Sequence, residues 1–243
     1  MFRAYFIALF CPVLLFFSTL NSQSHCLSWS KNTLSFQLNR HIQVDLELQH
    51  RRQNGLNNCF ILENKLGTSL RSWVHYQKNE FWKFSFSPIA WFSHNKLINS
   101  YSNQFENPEY EIRTSVSGER KFNLMNHYEA TTRLGLESRH FISQNSSQLR
   151  LRNRLSIIKH LNKYLSLNGF IEVFIITTTS LKKSAYEHNR IGLSLSALPQ
   201  KQFRVEATFI GIYRNRPVNL FSSLEKNLLL SLCYTINPKE IKK

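Results

Sequence analysis

Three arginines at alternate positions, Arg150, Arg152 and Arg154, are the residues of this chain best placed to do chemistry. In a strand, alternate side chains point to one face, so the three guanidiniums form a row. Such a row can draw an anion along a polar path, or it can pair with carboxylates on neighbouring strands. Pairing is the favoured reading, with Glu137, Glu129 and Glu172 as the expected partners. Histidine is the second candidate. His94, His140 and His188 fall near polar connections, and Ser138 and Ser143 lie close to His140. A barrel hydrolase needs a serine–histidine or aspartate–histidine pair. No nucleophile motif accompanies these histidines, so an enzyme is not expected. There is no zinc-type spacing, phosphate loop or dinucleotide fingerprint, so no metal or cofactor is expected.

The elements that carry these residues alternate apolar and polar positions. Ile42, Val44, Leu46 and Leu48 interleave with Asp45, Glu47, Gln49 and Arg51. About eleven segments of this kind, at 27–38, 42–52, 59–77, 82–94, 109–122, 127–141, 148–158, 164–176, 187–198, 202–213 and 224–236, predict an all-β chain. In the third segment Glu63 joins the polar side. In the fourth, Trp82, Phe84, Phe86, Ala90 and Phe92 are expected on one face. Connections at 39–41, 78–81, 123–126, 159–163 and 199–201 are tight, and those between them are longer and polar. That rhythm belongs to an up-and-down antiparallel barrel more than to a Greek-key sandwich.

The strand faces leave two readings: water outside, or lipid outside with a polar lumen. The chain carries 31 Lys and Arg against 15 Asp and Glu, a net charge of +16. These charges alternate along strands and do not cluster in runs. A charge facing mid-bilayer costs about 2–4 kcal/mol, and the apolar phase carries almost none. Arg120 is the exception, beside a turn where its head can reach the interface. Aromatic residues Phe81, Trp82, Phe122, Tyr128, Tyr164 and Phe203 gather at the tight turns, as at a membrane–water boundary. The chain therefore reads as a transmembrane β-barrel of ten to twelve strands, even counts being the rule for single-chain bacterial barrels. A secreted soluble β-barrel binding protein is the minor alternative. The expected lumen-lining charges are Glu47, Arg51, Glu111, Arg113, Glu129, Arg133, Glu137, Arg150, Arg152, Arg154, Glu172, Arg190, Arg204 and Glu206. Ten strands run from the second segment to the last. The first segment then joins an unseen partner or enters the barrel or its mouth.

The N-terminus carries Arg3, an apolar run over 4–17 and a small polar stretch at 18–24, the order of a secretory signal. Residues 1–24 are expected to be that signal, with an uncleaved anchor as the alternative, and 25–243 a single barrel domain. An exported chain makes nucleic acid a poor partner despite the basic balance. Cys26, Cys59 and Cys233 remain in the mature chain. Three thiols are favoured, and a Cys26–Cys233 disulfide across the closing ends stays open.

In this order, Trp29, the basic close of 46–52, Glu111-x-Arg113, Arg150-x-Arg152-x-Arg154, the 164–174 strand with Glu172-Val173-Phe174, and Asn189-Arg190-Ile191-Gly192-Leu193 resemble a family of uncharacterised outer-membrane-type barrels, a domain of unknown function in Gram-negative bacteria. The resemblance covers about 29–236. It implies residence in the outer membrane, with lipid and the barrel-insertion machinery as partners, and supplies no activity and no oligomeric state. Many outer-membrane proteins end in an aromatic residue, whereas this chain runs on to a basic tail at 239–243. The functional expectation is a structural barrel or a narrow channel with an Arg/Glu-lined lumen. A barrel hydrolase of the lipase or protease type is the rival.

Overall fold

The computed structural model describes residues 25–56, 58, 60–124, 127–177, 186–214 and 223–236. The expected signal, Cys59 and the basic tail lie outside these. Eleven strands form one closed barrel: β1 (His25–Gln37), β2 (Ile42–Gln53), β3 (Asn64–Gln77), β4 (Trp82–His94), β5 (Glu109–Asn123), β6 (Tyr128–Phe141), β7 (Ser146–His160), β8 (Leu165–Ile176), β9 (Tyr186–Gln200), β10 (Phe203–Arg214) and β11 (Ser223–Ile236). Chain neighbours pair antiparallel, and β1 closes on β11 in parallel. A single 3-10 turn, Tyr101–Phe105, interrupts the β4–β5 connection. Among the described residues no helix is long and apolar enough to cross a membrane.

Eleven strands fall within the expected ten to twelve, although even counts are the rule for single-chain bacterial barrels. The first segment is neither a mouth element nor half of a missed hairpin. It enters the wall between β2 and β11 and pairs along its length with both. It runs in the same sense as β11, so the closing pair is parallel. That register also decides the cysteines. Cys26 lies opposite Lys226, whereas Cys233 lies opposite Thr33. The seven-residue offset separates the two by about 23 Å along the strand, far beyond disulfide reach.

Three of the tight turns share one device. Asn39 Oδ1 accepts from the N–H groups of His41 and Ile42 at 2.8 and 2.9 Å. Asn79 does the same for Phe81 and Trp82, and Asn162 for Tyr164 and Leu165. A side-chain carbonyl thus replaces the backbone acceptor that a tight reversal removes. At the opposite end the β6–β7 turn spans only 142–145, closed by Asn145 at φ 44°. The alternation of short and long connections is therefore imperfect.

Two local expectations are corrected. The third strand begins at Asn64, not at 59. Glu63 belongs to the preceding loop, where its carboxylate accepts from Gly55 N–H and its own N–H reaches Phe60 O. In β4 the pairing slips between Ser87 and Ala90 on both sides, marking a β-bulge at Pro88. Proline cannot donate to a ladder, and a bulge is where a strand tolerates it. The extra residue inverts the phase. Trp82, Phe84 and Phe86 face outward, while Ala90 and Phe92, 0% and 3% exposed, turn into the barrel. The bulge frees carbonyls on the outer face, and both neighbouring strands cover them. Thr114 Oγ1 donates to Pro88 O at 2.9 Å, and Ser72 Oγ to Ile89 O at 3.3 Å.

The wall is apolar outside and charged inside. Leu46, Val74, Phe84, Val116, Leu134, Leu155, Ile171, Leu193 and Leu230 are all exposed on the outer surface, whereas Glu111, Glu137 and Glu172 are buried. Water-soluble monomers rarely expose so continuous an apolar surface. The arrangement is that of a transmembrane barrel whose outer wall meets lipid, and strands of 12 to 15 residues are long enough to cross one obliquely. Rings mark the tight-turn boundary. Arg120 lies over Trp82 and Phe122 at 5.2 and 4.8 Å, and Lys159 and Lys163 over Tyr128 and Tyr164.

In lipid an uncovered carbonyl finds no water. Replacing Ser72 by Ala and Thr114 by Val together should therefore destabilise the refolded barrel by about 1–3 kcal/mol. Urea unfolding in detergent micelles would measure this, and either single change should account for only part of the loss.

Candidate lumenal site

The inward face of the strands builds two adjoining cavities. The upper one, toward the long connections, has a volume of about 590 Å³. Thirteen Arg and Lys line it against seven Asp and Glu. The lower one, toward the tight turns, has about 500 Å³. Lys31, Lys83, Arg133, Arg154, Arg204 and Glu206 border both.

The carboxylates of the upper cavity are shared among guanidiniums. Glu111 of β5, 0% exposed, accepts from Arg113 on its own strand and from Arg139 of β6, Nε–Oε1 2.6 Å in the latter, and His94 Nε2 lies 3.2 Å from its other oxygen. Arg150 of β7 pairs with Glu137 and, at 3.2 Å, with Glu187. Arg152 donates to Glu172 at 2.5 Å and lies 3.6 Å from Glu137. Arg190 of β9 lies 3.8 Å from Glu172. Glu187 points inward because β9 slips its register against β8 beside Tyr186.

A second layer of contacts is aromatic. Trp29, Phe92, Phe170 and Phe174 lie inside the barrel and carry guanidiniums on their faces. Arg113 sits 3.7 Å over Phe92 and Arg154 3.7 Å over Phe170. Arg190, Arg150 and Arg152 surround Phe174 at 4.5, 5.0 and 5.4 Å. Arg51 lies 4.5 Å over Trp29 and is held by Gln49. A ring face offers negative potential without a formal charge, so it steadies a guanidinium without neutralising it.

The row of three arginines thus splits. Arg150 and Arg152 pair with carboxylates, and Arg154 stacks on Phe170 with no carboxylate at ion-pair distance among the described residues. Glu129 is not a partner of the row. It meets Lys121 and His160 at the tight-turn rim. Of the fourteen candidates, Glu129 at that rim and Glu111, buried beneath its arginines, do not border either cavity, and the rest do. Arg133 pairs with Glu119, and Glu206 accepts from Ser196 and Thr208 at 2.9 and 3.0 Å. Glu47 lies opposite Arg71 in register, and Arg204 opposite Cys233.

The mouth at the long connections is narrowed from within. Gln53 donates from Nε2 to Lys96 O at 3.0 Å and accepts from Ile98 N–H at 3.2 Å. This two-sided clamp draws the segment 95–98 over the opening, with Ile98 buried and Leu97 packed on Leu27, Trp29, Phe170, Ile210 and Ile212. Beyond the clamp, in the same connection, Lys96 holds the Glu106 carboxyl below its ordinary range, with help from Asn103.

The three histidines weighed for the rival hydrolase find other partners. His140 faces outward and meets Ser147 at 3.0 Å, not Ser138 or Ser143. His94 is engaged by Glu111 and Arg113. His188 stacks on Phe174 at 4.2 Å with neither ring nitrogen hydrogen-bonded. A chain missed in the sequence does form on β2–β4: Ser85 Oγ lies 2.7 Å from His75 Nδ1, and His75 Nε2 lies 3.2 Å from Asp45 Oδ2. Ser85 is the direct register partner of His75, and Asp45 lies two positions from Gln43, the partner of His75 on β2, which the sequence shows only once the pairing is known. Among the described residues no group of three metal-ligating side chains occurs.

A family model described as "Protein of unknown function (DUF2490)" matches residues 27–220. The chain belongs to this family. The NanC porin structure in its rhombohedral crystal form is similar over 87% of this chain and 99% of its own, with a TM-score of 0.47 and 8% sequence identity. None of the curated proteins matches the chain.

Replacing Glu111 by Gln would leave Arg113 and Arg139 around a neutral amide in a buried site. The expected loss is about 3–5 kcal/mol of barrel stability in denaturant titration. The same change at the rim residue Glu129 should cost less than about 1 kcal/mol. Equal losses at the two positions would contradict the buried network.

Proposed function

We propose that this member of the family is an outer-membrane barrel that forms a narrow channel and is not an enzyme. The observation that carries the reading is the pair of adjoining charged cavities, which extend from the narrowed mouth toward the tight turns within an apolar wall. A barrel meant only to fill a membrane has no need of a polar interior of this size. Residence in the outer membrane is supported by the lipid-compatible wall and by the signal-like order of residues 1–24. Lipid and the insertion machinery are then its partners. Long Arg and Glu side chains crowd the lumen, and 95–98 narrows one mouth, so the channel is small.

The purified full chain in a planar bilayer should give discrete, low-conductance steps. Breaking the clamp with Gln53→Ala should enlarge them or increase their open fraction. The absence of steps in both proteins would end the channel reading.

The Asp45–His75–Ser85 chain favours a second reading, a serine hydrolase. One ring nitrogen meets the hydroxyl and the other the carboxylate, as nucleophile activation requires. Against it, Ser85 lies within β4, paired on both sides, and not on the sharp turn that supplies oxyanion-stabilising N–H groups. A fluorophosphonate probe distinguishes the two. Labelling that disappears in Ser85→Ala would establish the hydrolase, and no labelling is the expected result.

A further inference from the structure

We propose that the waist between the two cavities is an anion-selecting ring that takes phosphate- or carboxylate-bearing solutes; the proposal rests on the channel reading and names its cargo class. The six side chains that border both cavities, Lys31, Lys83, Arg133, Arg154, Arg204 and Glu206, come from β1, β4, β6, β7 and β10. They therefore encircle the path and do not form a patch on one wall. Five are cations. Arg133 is engaged by Glu119, and Glu206 by the hydroxyls of Ser196 and Thr208. Lys31, Lys83, Arg154 and Arg204 have no carboxylate at ion-pair distance among the described residues. Of the acidic residues in the chain, Glu240 alone lies outside the described set.

A second observation, above the waist, points the same way. Arg71 is buried, yet its Nε and Nη2 have no hydrogen-bond partner. It is stacked between Trp73 and Phe92, at 4.9 and 5.2 Å, and borders the upper cavity. Among the charges it feels most are Glu137, already shared by Arg150 and Arg152, and Glu47, opposite it in register, set against the cations Arg152 and Arg150. Arg71 thus adds beside the upper cavity a cation whose Nε and Nη2 are unpaired, and unpaired guanidinium donors favour an oxyanion. A ring of uncompensated cations at a constriction repels cations and lowers the barrier for anions, as in anion-selective and phosphate-selective pores. The forked donors of Arg154 and Arg204 suit two oxygens of one phosphate or carboxylate, and the mobile ammonium groups of Lys31 and Lys83 adapt to either.

The test uses the full chain refolded in detergent and in bilayers. Reversal potentials are measured in a potassium chloride gradient, and thermal stability with and without inorganic phosphate at constant ionic strength. Wild type should favour chloride severalfold over potassium and melt higher in phosphate. The Lys31→Gln, Lys83→Gln double variant should lose most of both effects. The Lys31→Arg, Lys83→Arg variant should keep them, which separates lost charge from lost folding. Conductance without anion preference, or with a preference untouched by the Gln variant, overturns the ring and leaves the channel standing. If no conductance is seen, a phosphate shift that the Gln variant abolishes supports the ring as a binding site while the channel reading fails. No conductance and no phosphate shift overturns both.

Discussion

Everything in this barrel follows from closing a sheet whose two faces want different solvents. With apolar side chains on the convex wall, every strand must send its charged residues into a space that eleven strands enclose. There, charge pairs cannot rely on bulk water, and carboxylates must be hydrogen-bonded by arginine or by hydroxyls. The lumen does this unevenly. Cations outnumber carboxylates among the lining residues, so Glu111, Glu137 and Glu172 each serve two or more cationic groups. Arg51, Arg71 and Arg154 rest on ring faces instead. An interior of this kind has rigid walls and a positive bias.

The local devices serve that interior. The bulge at Pro88 turns Phe92 inward, which gives Arg71 and Arg113 their common stacking surface. Ser72 and Thr114 meet the cost of that bulge on the lipid side. The register slip beside Tyr186 brings Glu187 into reach of Arg139 and Arg150. At Gly192 a Cβ would come within 2.3 Å of the Phe170 ring, so the missing side chain is what lets this ring lie flat beneath Arg154. Deviations from regular sheet thus sit where the lumen needs a ring or a carboxylate.

Most of the architecture was legible in the sequence because the period of two holds along β5 to β8 and again in β10 and β11, and most acids keep to one phase. Legibility failed where one residue is added or where pairing crosses strands. Pro88 was the visible sign of the bulge, but the alternation on either side of it looks continuous, so Phe92 read as lipid-facing. Glu63 read as a strand residue because 59–63 mimics alternation, and only the hydrogen bonds around Asn58 show it as a loop. The strand count lay within the expected ten to twelve, but the place of the first segment was not legible until its pairing on both edges set it in the wall. The partners of the arginine row were only half legible. Register assigns Glu137 to Arg150 and sets Glu129 opposite Ile158, at the rim beside His160. The Asp45–His75–Ser85 chain and the waist were not legible, since both depend on which strands meet.

The central claim is that neighbouring positions on one strand see lipid and water in turn. Single cysteines placed at 190, 191, 193, 194 and 195 in β9, in a background without the native cysteines, test it directly. With the barrel in liposomes, labels at 191, 193 and 195 should be quenched by brominated lipid. Cysteines at 190 and 194 should react with small water-soluble reagents. Uniform reaction with water-soluble reagents at all five positions, with no lipid quenching, would contradict the account.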